Sequence, residues 1–471
     1  MFDTAGLFDE TFYLENNPDV ALAVKEGVFS SGLEHFMEFG RFEARDPSEF
    51  FNTYFYLNKY SDVLTAVQRG QFTAFDHFIT NGQLEKRDPV SWFNTSLYLQ
   101  KNPDVDAFVK KDIITGIKHF IDFGIKENRT FANILPILNR VLVGNSRGDN
   151  VVAYNSNTGE FLGTPIAKNS GGLVDPDTLL YGPDGNGDGV SDLYISSGNK
   201  PANSNQLGAS AILRYDGLTG QFIDIFVGDN PNTSVDETGG LYRPYGADFG
   251  PDGNLYVSSF FSDQILRYNG QTGQFIDVFA SGNQQAGGLN GPNGLLFAPD
   301  GNLYVTTQGS VATNGEADFS AGLPSQVLKY NLQTRQSTVF ASPEVSPNGA
   351  GFISLLGMQI GPKDGDLYVS DFANDIRRYN LKTGALVNTF STNYTGTSPS
   401  NNFTGDIAFS PNGKLYTVGF DYTEAGNNIG AILRFDSITG QPLPAVANSG
   451  SIFVAPNSNL VRPIGLTFFE S

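Results

Sequence analysis

One tight-turn motif recurs six times in this 471-residue chain, from residue 154 onward. Each copy has Tyr or Phe followed by Asn or Asp, and then Thr, with Gly after the Thr in five of the six. Glycine supplies the positive φ that tight hairpin turns need, so each copy predicts a β-hairpin. The copies begin at Tyr154-Asn155, Tyr215-Asp216, Tyr268-Asn269, Tyr330-Asn331, Tyr379-Asn380 and Phe435-Asp436.

A second motif precedes most of these turns and completes a four-stranded unit. It is an apolar strand, a Pro-Asp-Gly-type turn and a Leu-Tyr-Val-Ser-type strand, as at 249–258, 297–306 and 409–417. Two hairpins per unit, repeated at intervals of 49 to 62 residues, predict six four-stranded blades. The expected fold is mainly β, a six-bladed β-propeller.

The sequence also predicts how the ring of blades closes. The first blade, around 141–162, lacks its innermost strand, and the segment 462–468 parallels 243–249 of blade 3, because both contain Arg-Pro-x-Gly. We therefore expect the C-terminal strand to pair with the first blade, which leaves no long open edge.

The first 130 residues contain a different repeat of about 42 residues in three copies. Their histidines, His35, His77 and His119, lie 42 residues apart. We expect an all-α helical-repeat domain over 1–132, a hinge at 131–139 and the propeller over 133–471. The three units should stack, because one unit is too small to bury its own apolar stripe.

Each helical unit shows the usual start and stop signals. Asn17 is a suitable N-cap with Pro18 at the first helical position, and Gly27 and Gly40 read as helix stops. All histidines lie outside the propeller, which excludes a Ser–His–Asp triad or a histidine-based lyase within it. Their equal spacing favours a repeated structural role, and a metal or pH-switch role is the alternative.

Both parts of the chain resemble known families. The helical units resemble a repeat of the form YL…NPDV…H[FY]…G…E.R, common in exported bacterial proteins and in some bacterial glycan-related enzymes, which implies a surface or adaptor role. Residues 140–471 resemble the NHL-repeat and gluconolactonase-like propellers, through 244–257 and 291–301. That fold hosts many chemistries and does not by itself define a function.

One turn in blade 2 carries the pattern of a calcium loop. Six residues are inserted there relative to blade 3, which places oxygen ligands at alternating positions as in an EF-hand loop. The position of the bidentate Glu is Ile195, so another group or water would complete the shell. We expect a structural Ca²⁺ site, the alternative being an acidic surface turn without metal. The expected ligands are Asp184, Asn186, Asp188, the carbonyl of Val190, and Asp192.

The channel mouth gives weak candidates for catalysis. The gluconolactonase resemblance implies a divalent metal held by residues at the starts of the innermost strands. The aligned positions here are Ile464, Asp177, Tyr245, Asn293, Leu356 and Thr404. Asn293 matches the position of the family's Asn ligand. The alternative is that Asn293, next to a Gly, serves a backbone turn. Ile464 and Leu356 stand where the family has ligands. Asp177 is a carboxylate in a blade where the family has no ligand.

Long irregular segments are expected on the same face as the mouth. They join successive blades at 228–242, 280–290, 341–355 and 391–402, and others run through 198–209, 308–325 and 420–430. They are rich in Asn, Ser, Thr and Gly, which together with aromatic faces suits a glycan or an extended peptide. The aromatic residues nearby are Tyr245, Phe260, Phe261, Phe319 and Tyr422.

Composition limits the partners. The net charge of −20 argues against nucleic acid, the absence of cysteine excludes disulfides and thiolate chemistry, and no apolar run is long enough for a membrane helix. No cleavable signal peptide is visible. The composition and the repeat resemblance favour a bacterial cell-surface or extracellular location, with a cytoplasmic one as the alternative.

These observations favour a calcium-binding propeller that acts as a binding, adhesion or assembly module for a glycan or protein, with the helical repeats as an adaptor. Self-association through those repeats is a further expectation. The competing hypothesis is a metal-dependent lactonase or esterase acting at Asn293 and Asp177.

Overall fold

The computed structural model describes most of the chain and divides it into two compact units. One is formed by residues up to 138 and the other by 139–469. The predicted hinge and boundary fall within 128–139, outside the described residues, and stay predictions. The described ranges are 6–48, 50–90, 93–111, 113–124, 126–127, 140–185, 190–204, 206–230, 232, 235–346, 349–373, 375–423 and 425–469.

Over its described residues, the second unit is the predicted six-bladed β-propeller, with six four-stranded antiparallel sheets. A two-stranded hairpin extends from blade 4. The strands of blades 1 to 3 are β26 (Pro463–Phe468), β1 (Arg140–Asn145), β2 (Asn150–Asn155) and β3 (Phe161–Ile166); β4 (Leu179–Gly182), β5 (Asp192–Ser197), β6 (Ala211–Tyr215) and β7 (Phe222–Val227); β8 (Pro244–Phe249), β9 (Leu255–Ser259), β10 (Gln264–Tyr268) and β11 (Phe275–Ser281).

The remaining three blades follow the same order from the innermost strand outward. They are β12 (Pro292–Phe297), β13 (Asn302–Thr307), β16 (Val327–Asn331) and β17 (Ser337–Ala341), with the hairpin β14 (Val311–Thr313) and β15 (Glu316–Asp318); β18 (Leu355–Ile360), β19 (Leu367–Asp371), β20 (Asp375–Tyr379) and β21 (Leu386–Phe390); β22 (Asn402–Phe409), β23 (Lys414–Asp421), β24 (Ile429–Asp436) and β25 (Ile452–Val461).

The C-terminal strand closes the ring. β26 pairs antiparallel with β1, with Val143 opposite Leu466 and Val141 opposite Phe468. Phe468 and Leu466 are buried against Tyr416 and Val418 of blade 6, so the closing strand also joins the first and last blades through the core. The predicted pairing of the C-terminal strand with the first blade, where it supplies the missing innermost strand, is confirmed.

The two recurring motifs have clear structural roles. In the first, the Asn or Asp side chain accepts the N–H of the Thr three residues later, as Asn269 does from Thr272 at 2.9 Å. In the second, the Tyr is buried between blades, and in blades 3, 4 and 5 its hydroxyl donates to the Asp of the preceding turn. Tyr304 donates to Asp300 at 2.9 Å and Tyr368 to Asp364 at 2.8 Å. Each motif therefore fixes a turn and one buried aromatic ring.

The first unit contains three copies of a helical unit. In each copy two short helices are followed by a one-turn helix and a π-helical turn. The helices are α1 (Glu10–Asn16), α2 (Pro18–Lys25), α3 (Gly32–His35), α4 (Thr53–Lys59), α5 (Ser61–Gln68), α6 (Ala74–His77), α7 (Thr95–Lys101), α8 (Pro103–Val109) and α9 (Gly116–His119), and the π-helical turns are Phe36–Gly40, Phe78–Gly82 and Phe120–Gly124. None of the described helices combines the length and the apolarity that crossing a bilayer takes.

The three histidines have the same structural partner. A buried tyrosine hydroxyl lies 2.9 Å from Nδ1 of His35 and of His77, and 2.8 Å from Nδ1 of His119. Each tyrosine hydroxyl lies beneath the last glycine of the π-helical turn, where a Cβ would collide with it. Gly40 thus ends its turn as predicted, but for a different reason: it makes room for Tyr13 and does not adopt a positive φ.

The Asn-Pro-Asp and Glu-x-Arg parts of the repeat meet in space. Arg45 donates to both carboxylate oxygens of Asp19, at 2.9 and 2.8 Å, and to Glu43 at 2.7 Å. It also donates to Asn17 Oδ1 at 3.0 Å, so this side chain binds Arg45 while Asn17 begins α2 without a side-chain cap. The repeat residues Asn17, Asp19, Glu43 and Arg45 therefore stabilise the first helical unit itself.

Candidate functional site

The mouth of the channel lies where the six innermost strands begin, on what we call the entrance face. The antiparallel sheets bring the blade-joining segments and the loops between second and third strands to this face, and the Pro-Asp-Gly-type turns to the opposite face. Four of the predicted positions are the second residues of their innermost strands: Tyr245, Asn293, Leu356 and Ile464. Asp177 lies two residues before β4.

The predicted sixth position is wrong by one residue. On β22, Thr404 pairs with Gly419 and Ile407 with Thr417, which matches Pro244 and Ala247 of blade 3. Gly405 therefore stands level with Tyr245 and Asn293. Asp406 takes the level that glycine occupies in blades 3, 4, 5 and 1, at Gly246, Gly294, Gly357 and Gly465. The extra residue of the β-bulge in each innermost strand obscured this register.

The backbone at the mouth is strained at equivalent points. Asp175, Arg243 and Arg462 have φ of 52°, 58° and 49°, and each directly precedes the proline that leads into an innermost strand. A left-handed conformation in a non-glycine residue costs on the order of 1–3 kcal/mol, and a following proline restricts the residue further. Strain of this kind is concentrated in proteins where a site must be held in one arrangement.

Arg243 is the centre of a buried ion-pair network at the mouth. Its guanidinium lies 2.6 Å from Asp175 Oδ2 and 3.1 Å from Asp177 Oδ2, with 6% of its side chain exposed. It also lies over the ring of Tyr245, 4.6 Å from the centroid. Arg462 extends the network, with Nη1 at 3.8 Å from Asp175 Oδ1. These arginines hold the strained strand entrances of blades 2, 3 and 1 together.

The carboxyl of Asp177 is in an environment that disfavours its charge. Burial raises its pKa to about 7, against the opposing effect of Arg243, and the charges of Asp175 and Asp406 raise the pKa as well. Asp177 Oδ2 is buried and accepts no hydrogen bond from the described residues, although Arg243 is its ion-pair partner.

Asp406 is the second perturbed carboxyl of the channel. Burial raises its pKa to about 7, and only the N–H of Ile407, which donates to Oδ1 at 2.7 Å, opposes that shift. The side chain is half-buried and fills the space beside Gly357, where a Cβ would collide with it. One sequence signal pointed to this residue, an Asp where four of the aligned strands have Gly, but the one-residue error in the predicted register concealed it.

The two residues of the hydrolase hypothesis, Asn293 and Asp177, are both buried at the mouth. Asn293 is 7% exposed at its predicted level, but the cation beside Asp177 is the guanidinium of Arg243. Among the residues that the structure describes, no three His, Asp or Glu side chains are grouped as a metal site. The hypothesis of a hydrolase acting at Asn293 and Asp177 stays a prediction.

The predicted calcium loop lies partly outside the described residues. Asn186 and Asp188 belong to 186–189, which the structure does not describe, so the ligand set stays a prediction. Contacts within the protein hold the two described ends of the loop together. Asp192 is fully buried, and Gly185 donates its N–H to Asp192 Oδ2 at 2.8 Å. Asp184 and Val190 flank the gap on either side.

A cluster of aromatic rings lies on the entrance face beside blades 5 and 6. Phe403 and Tyr422 stack with centroids 4.2 Å apart and ring planes 18° apart, and Phe372 lies 4.3 Å from Phe403. Tyr422 is 41% exposed and Phe352, at 6.2 Å from Phe403, is 43% exposed. We call Phe352, Phe372, Phe403, Phe420 and Tyr422 the aromatic cluster.

The aromatic cluster connects to the ion-pair network and to polar side chains. The guanidinium of Arg462 lies 5.7 Å from the centroid of Phe420. Thr397 donates its hydroxyl to Asn401 at 2.9 Å, and the N–H of Tyr422 donates to the carbonyl of Asn401 at 3.2 Å. Ring faces, amides and carboxylates therefore adjoin on one surface.

Comparison with known proteins gives matches among solved structures only. No protein-family model matches the chain, and no curated protein matches its sequence. The chain is similar to a structure from the nidogen/laminin complex, at 11% identity over 70% of this chain and 97% of that one, with a TM-score of 0.45.

Two bacterial structures are also similar. A protein of unknown function from Bacteroides caccae matches at 14% identity over 69% of this chain and 97% of its own, with a TM-score of 0.42. Virginiamycin B lyase from Staphylococcus aureus matches at 15% identity over 69% and 84%, with a TM-score of 0.39. Matches with identities this low and TM-scores below 0.5 say nothing of a ligand or a reaction. The strand order and the helices themselves define the class of this protein: a six-bladed β-propeller with an N-terminal helical-repeat unit.

Proposed function

We propose that this protein is a carbohydrate-binding protein that holds a glycan on the entrance face of its propeller. The observation that carries the proposal is the stack of the half-buried ring of Phe403 on the exposed ring of Tyr422, whose backbone N–H donates to the carbonyl of Asn401. A sugar ring has an apolar C–H face and a rim of hydroxyls, and it needs both an aromatic surface and hydrogen-bonding groups. Binding sites with an aromatic body and a few placed polar groups have this composition.

A glycan fits this surface better than a folded protein partner does. The exposed rings are few and are interspersed with amide and hydroxyl side chains of 393–401. A stable protein interface typically buries roughly 800 Å² on each partner around an apolar centre. Two exposed rings next to a channel mouth suit one or two sugar residues.

The first test is a glycan array followed by titration of the strongest hit into the full chain. We expect Tyr422→Ala to weaken binding of that glycan at least tenfold, because it removes the exposed face of the stack. Phe161→Ala is the matched control, since Phe161 is a similarly exposed ring (40%) on the outermost strand of blade 1. Equal binding by wild type and Tyr422→Ala would count against the proposal, as would an array without a hit.

We also propose that the loop 184–192 binds Ca²⁺ and that the ion has a structural role. Alternating oxygen side chains in the sequence support this, together with the location of the loop on the face opposite the mouth. Ca²⁺ would offset the repulsion between the carboxylates of Asp184, Asp188 and Asp192, which recur every four residues in the sequence.

The calcium proposal predicts a change in thermal stability. Chelator should lower the Tm of the wild-type chain, because a ligand at 100 times its Kd stabilises the folded state by about 2.7 kcal/mol. Asp188→Ala should abolish the difference between chelated and Ca²⁺-loaded protein. Asp252→Ala, in the equivalent turn of blade 3 without an insertion, should retain it. An identical melting curve with and without chelator would rule the site out.

We further propose that the protein acts at the cell surface or outside the cell, with the helical unit as the adaptor. The support is the lack of cysteine, the acidic composition and the repeat resemblance. Size measurement on the full chain and on 133–471 tests self-association through the repeats. A larger assembly formed only by the full chain would support it, and monomers in both cases would exclude it.

A further inference from the structure

The half-buried carboxylate of Asp406 has few hydrogen-bond and ion-pair partners for a charged group. Its single hydrogen bond from the described residues comes from the N–H of the next residue, Ile407. No described Lys or Arg forms an ion pair with it. This contrasts with Asp175 and Asp177, which share Arg243.

A carboxylate at this level of the channel is not required by the packing. Blades 1, 3, 4 and 5 have glycine there, and Gly357 leaves the space that the Asp406 carboxylate fills. An unpaired carboxylate with a pKa raised to about 7 by burial destabilises the folded protein at neutral pH. Groups kept at such a cost are common at functional sites.

A second group at the mouth also has unused capacity to accept hydrogen bonds. Asp177 is 8% exposed; its buried Oδ2 lies 3.1 Å from the guanidinium of Arg243 as an ion-pair partner but accepts no hydrogen bond from the described residues. Asp406 is one of the charges that raise the pKa of Asp177, so the two carboxylates share one electrostatic environment. Both lie on or directly before innermost strands, at the same end of the channel.

The charge balance indicates what the mouth can accept. Above pH 7, where the carboxyls of Asp177 and Asp406 ionise, these two side chains and Asp175 carry three negative charges, and Arg243 and Arg462 supply two positive ones. A group with one positive charge brings this set to neutrality, whereas a divalent ion would leave an excess positive charge beside two guanidinium groups.

We infer that the channel mouth recognises a primary ammonium group on its ligand, which binds to the carboxylate of Asp406 with Asp177 contributing to the negative potential. This inference rests on the proposed glycan-binding function and deepens it: the glycan would contain an amino sugar with a free amine. An ammonium supplies three N–H donors and one charge, which matches the unused carboxylate oxygens. A lysine side chain carries the same group and is the other source of this chemistry.

Two matched pairs of probes test the inference by calorimetric titration of the full chain. The first pair is glucosamine and N-acetylglucosamine, which differ in the charge of the amine. The second is Nα-acetyl-lysine amide and Nα-acetyl-norleucine amide. We expect glucosamine to bind at least tenfold more tightly than N-acetylglucosamine, and Asp406→Asn to remove that difference.

The control variant is Asp300→Asn, an aspartate on the opposite face that pairs with Lys329. It should bind glucosamine as the wild type does. Asp406→Asn keeps the size of the side chain and the acceptor for Ile407 N–H, so loss of binding reports the lost charge, and the Tm of the variant confirms that it is folded.

The outcomes separate this inference from the proposed function. Tight binding of the lysine probe but not of glucosamine would support the ammonium site and contradict a glycan ligand. Equal binding of charged and neutral members in both pairs would overturn the inference, while a neutral array hit dependent on Tyr422 would leave the proposed function standing. Ca²⁺ binding that requires Asp406, with no effect of an amine, would also overturn it.

Discussion

Arg243→Met should destabilise the propeller by about 3–5 kcal/mol at pH 8, the usual effect of removing one partner of a buried ion pair. Methionine keeps the length and most of the volume of the arginine stem but supplies no charge. Asp175 and Asp177 would remain buried without their main counter-charge, and Asp177 already has a pKa raised to about 7. Denaturant unfolding at fixed pH measures the change in the free energy of unfolding.

The destabilisation should depend on pH in a defined direction. Without Arg243, the pKa of Asp177 rises further, so the carboxyl accepts a proton more readily in the folded state than in the unfolded state. The loss of stability is then larger at pH 8 than at pH 5.

Arg267→Met is the matched control for Arg243→Met. Arg267 pairs with Asp277 and Asp252 with 20% of its side chain exposed, and such surface pairs contribute about 0–1 kcal/mol. If Arg243→Met costs no more than Arg267→Met, the network does not hold the mouth together.

Asp406→Asn should stabilise the protein at pH 8 by about 1–3 kcal/mol. Three pKa units at about 1.4 kcal/mol each set an upper limit of about 4 kcal/mol, which solvent at the half-buried carboxyl reduces. The pKa of Asp406 is about 7 in the folded state and near 4 when unfolded, so the folded state binds the proton more tightly. Wild-type stability therefore falls as the pH rises from about 4 to about 7, and the uncharged variant lacks that decrease. At pH 4 the two proteins should be similar.

Unfolding curves between pH 4 and pH 8 measure this difference. Asp318→Asn serves as the control, since Asp318 is an exposed hairpin aspartate whose pKa is lowered by hydrogen bonds from Ser320. That variant should gain no stability at any pH. Parallel pH profiles for wild type and Asp406→Asn would mean that the carboxyl is not held in an unfavourable environment.

The fold was predictable because the motifs that encode it act locally. An Asn or Asp that accepts a bond from a Thr three residues on is visible in the sequence at all six turns, and a Tyr that donates to an Asp four residues back is visible in three blades. Ring closure was predictable for the same reason, since 462–468 repeats the pattern of 243–249. The role of Gly40 was not, because the collision it avoids is with Tyr13, 27 positions earlier.

The candidate site was only partly predictable, because its pairs join distant parts of the chain. Arg243 meets Asp175 across 68 positions, and no local pattern connects them. Asp177 and Asn293 were placed at the correct level, but the one-residue shift at Thr404 hid Asp406. Of the aromatic cluster, only Tyr422 was among the residues expected near the long loops. Its stacking partner Phe403 lies in a strand and was not expected there.

Hydrogen–deuterium exchange with and without the array-selected glycan tests ligand binding at the entrance face directly. We expect slower amide exchange on binding in 391–402, 420–423 and 458–462, and unchanged exchange in the opposite-face turns 250–253, 298–301 and 410–413. Protection confined to the turns, or to the helical unit, would contradict a binding site at the mouth of the propeller.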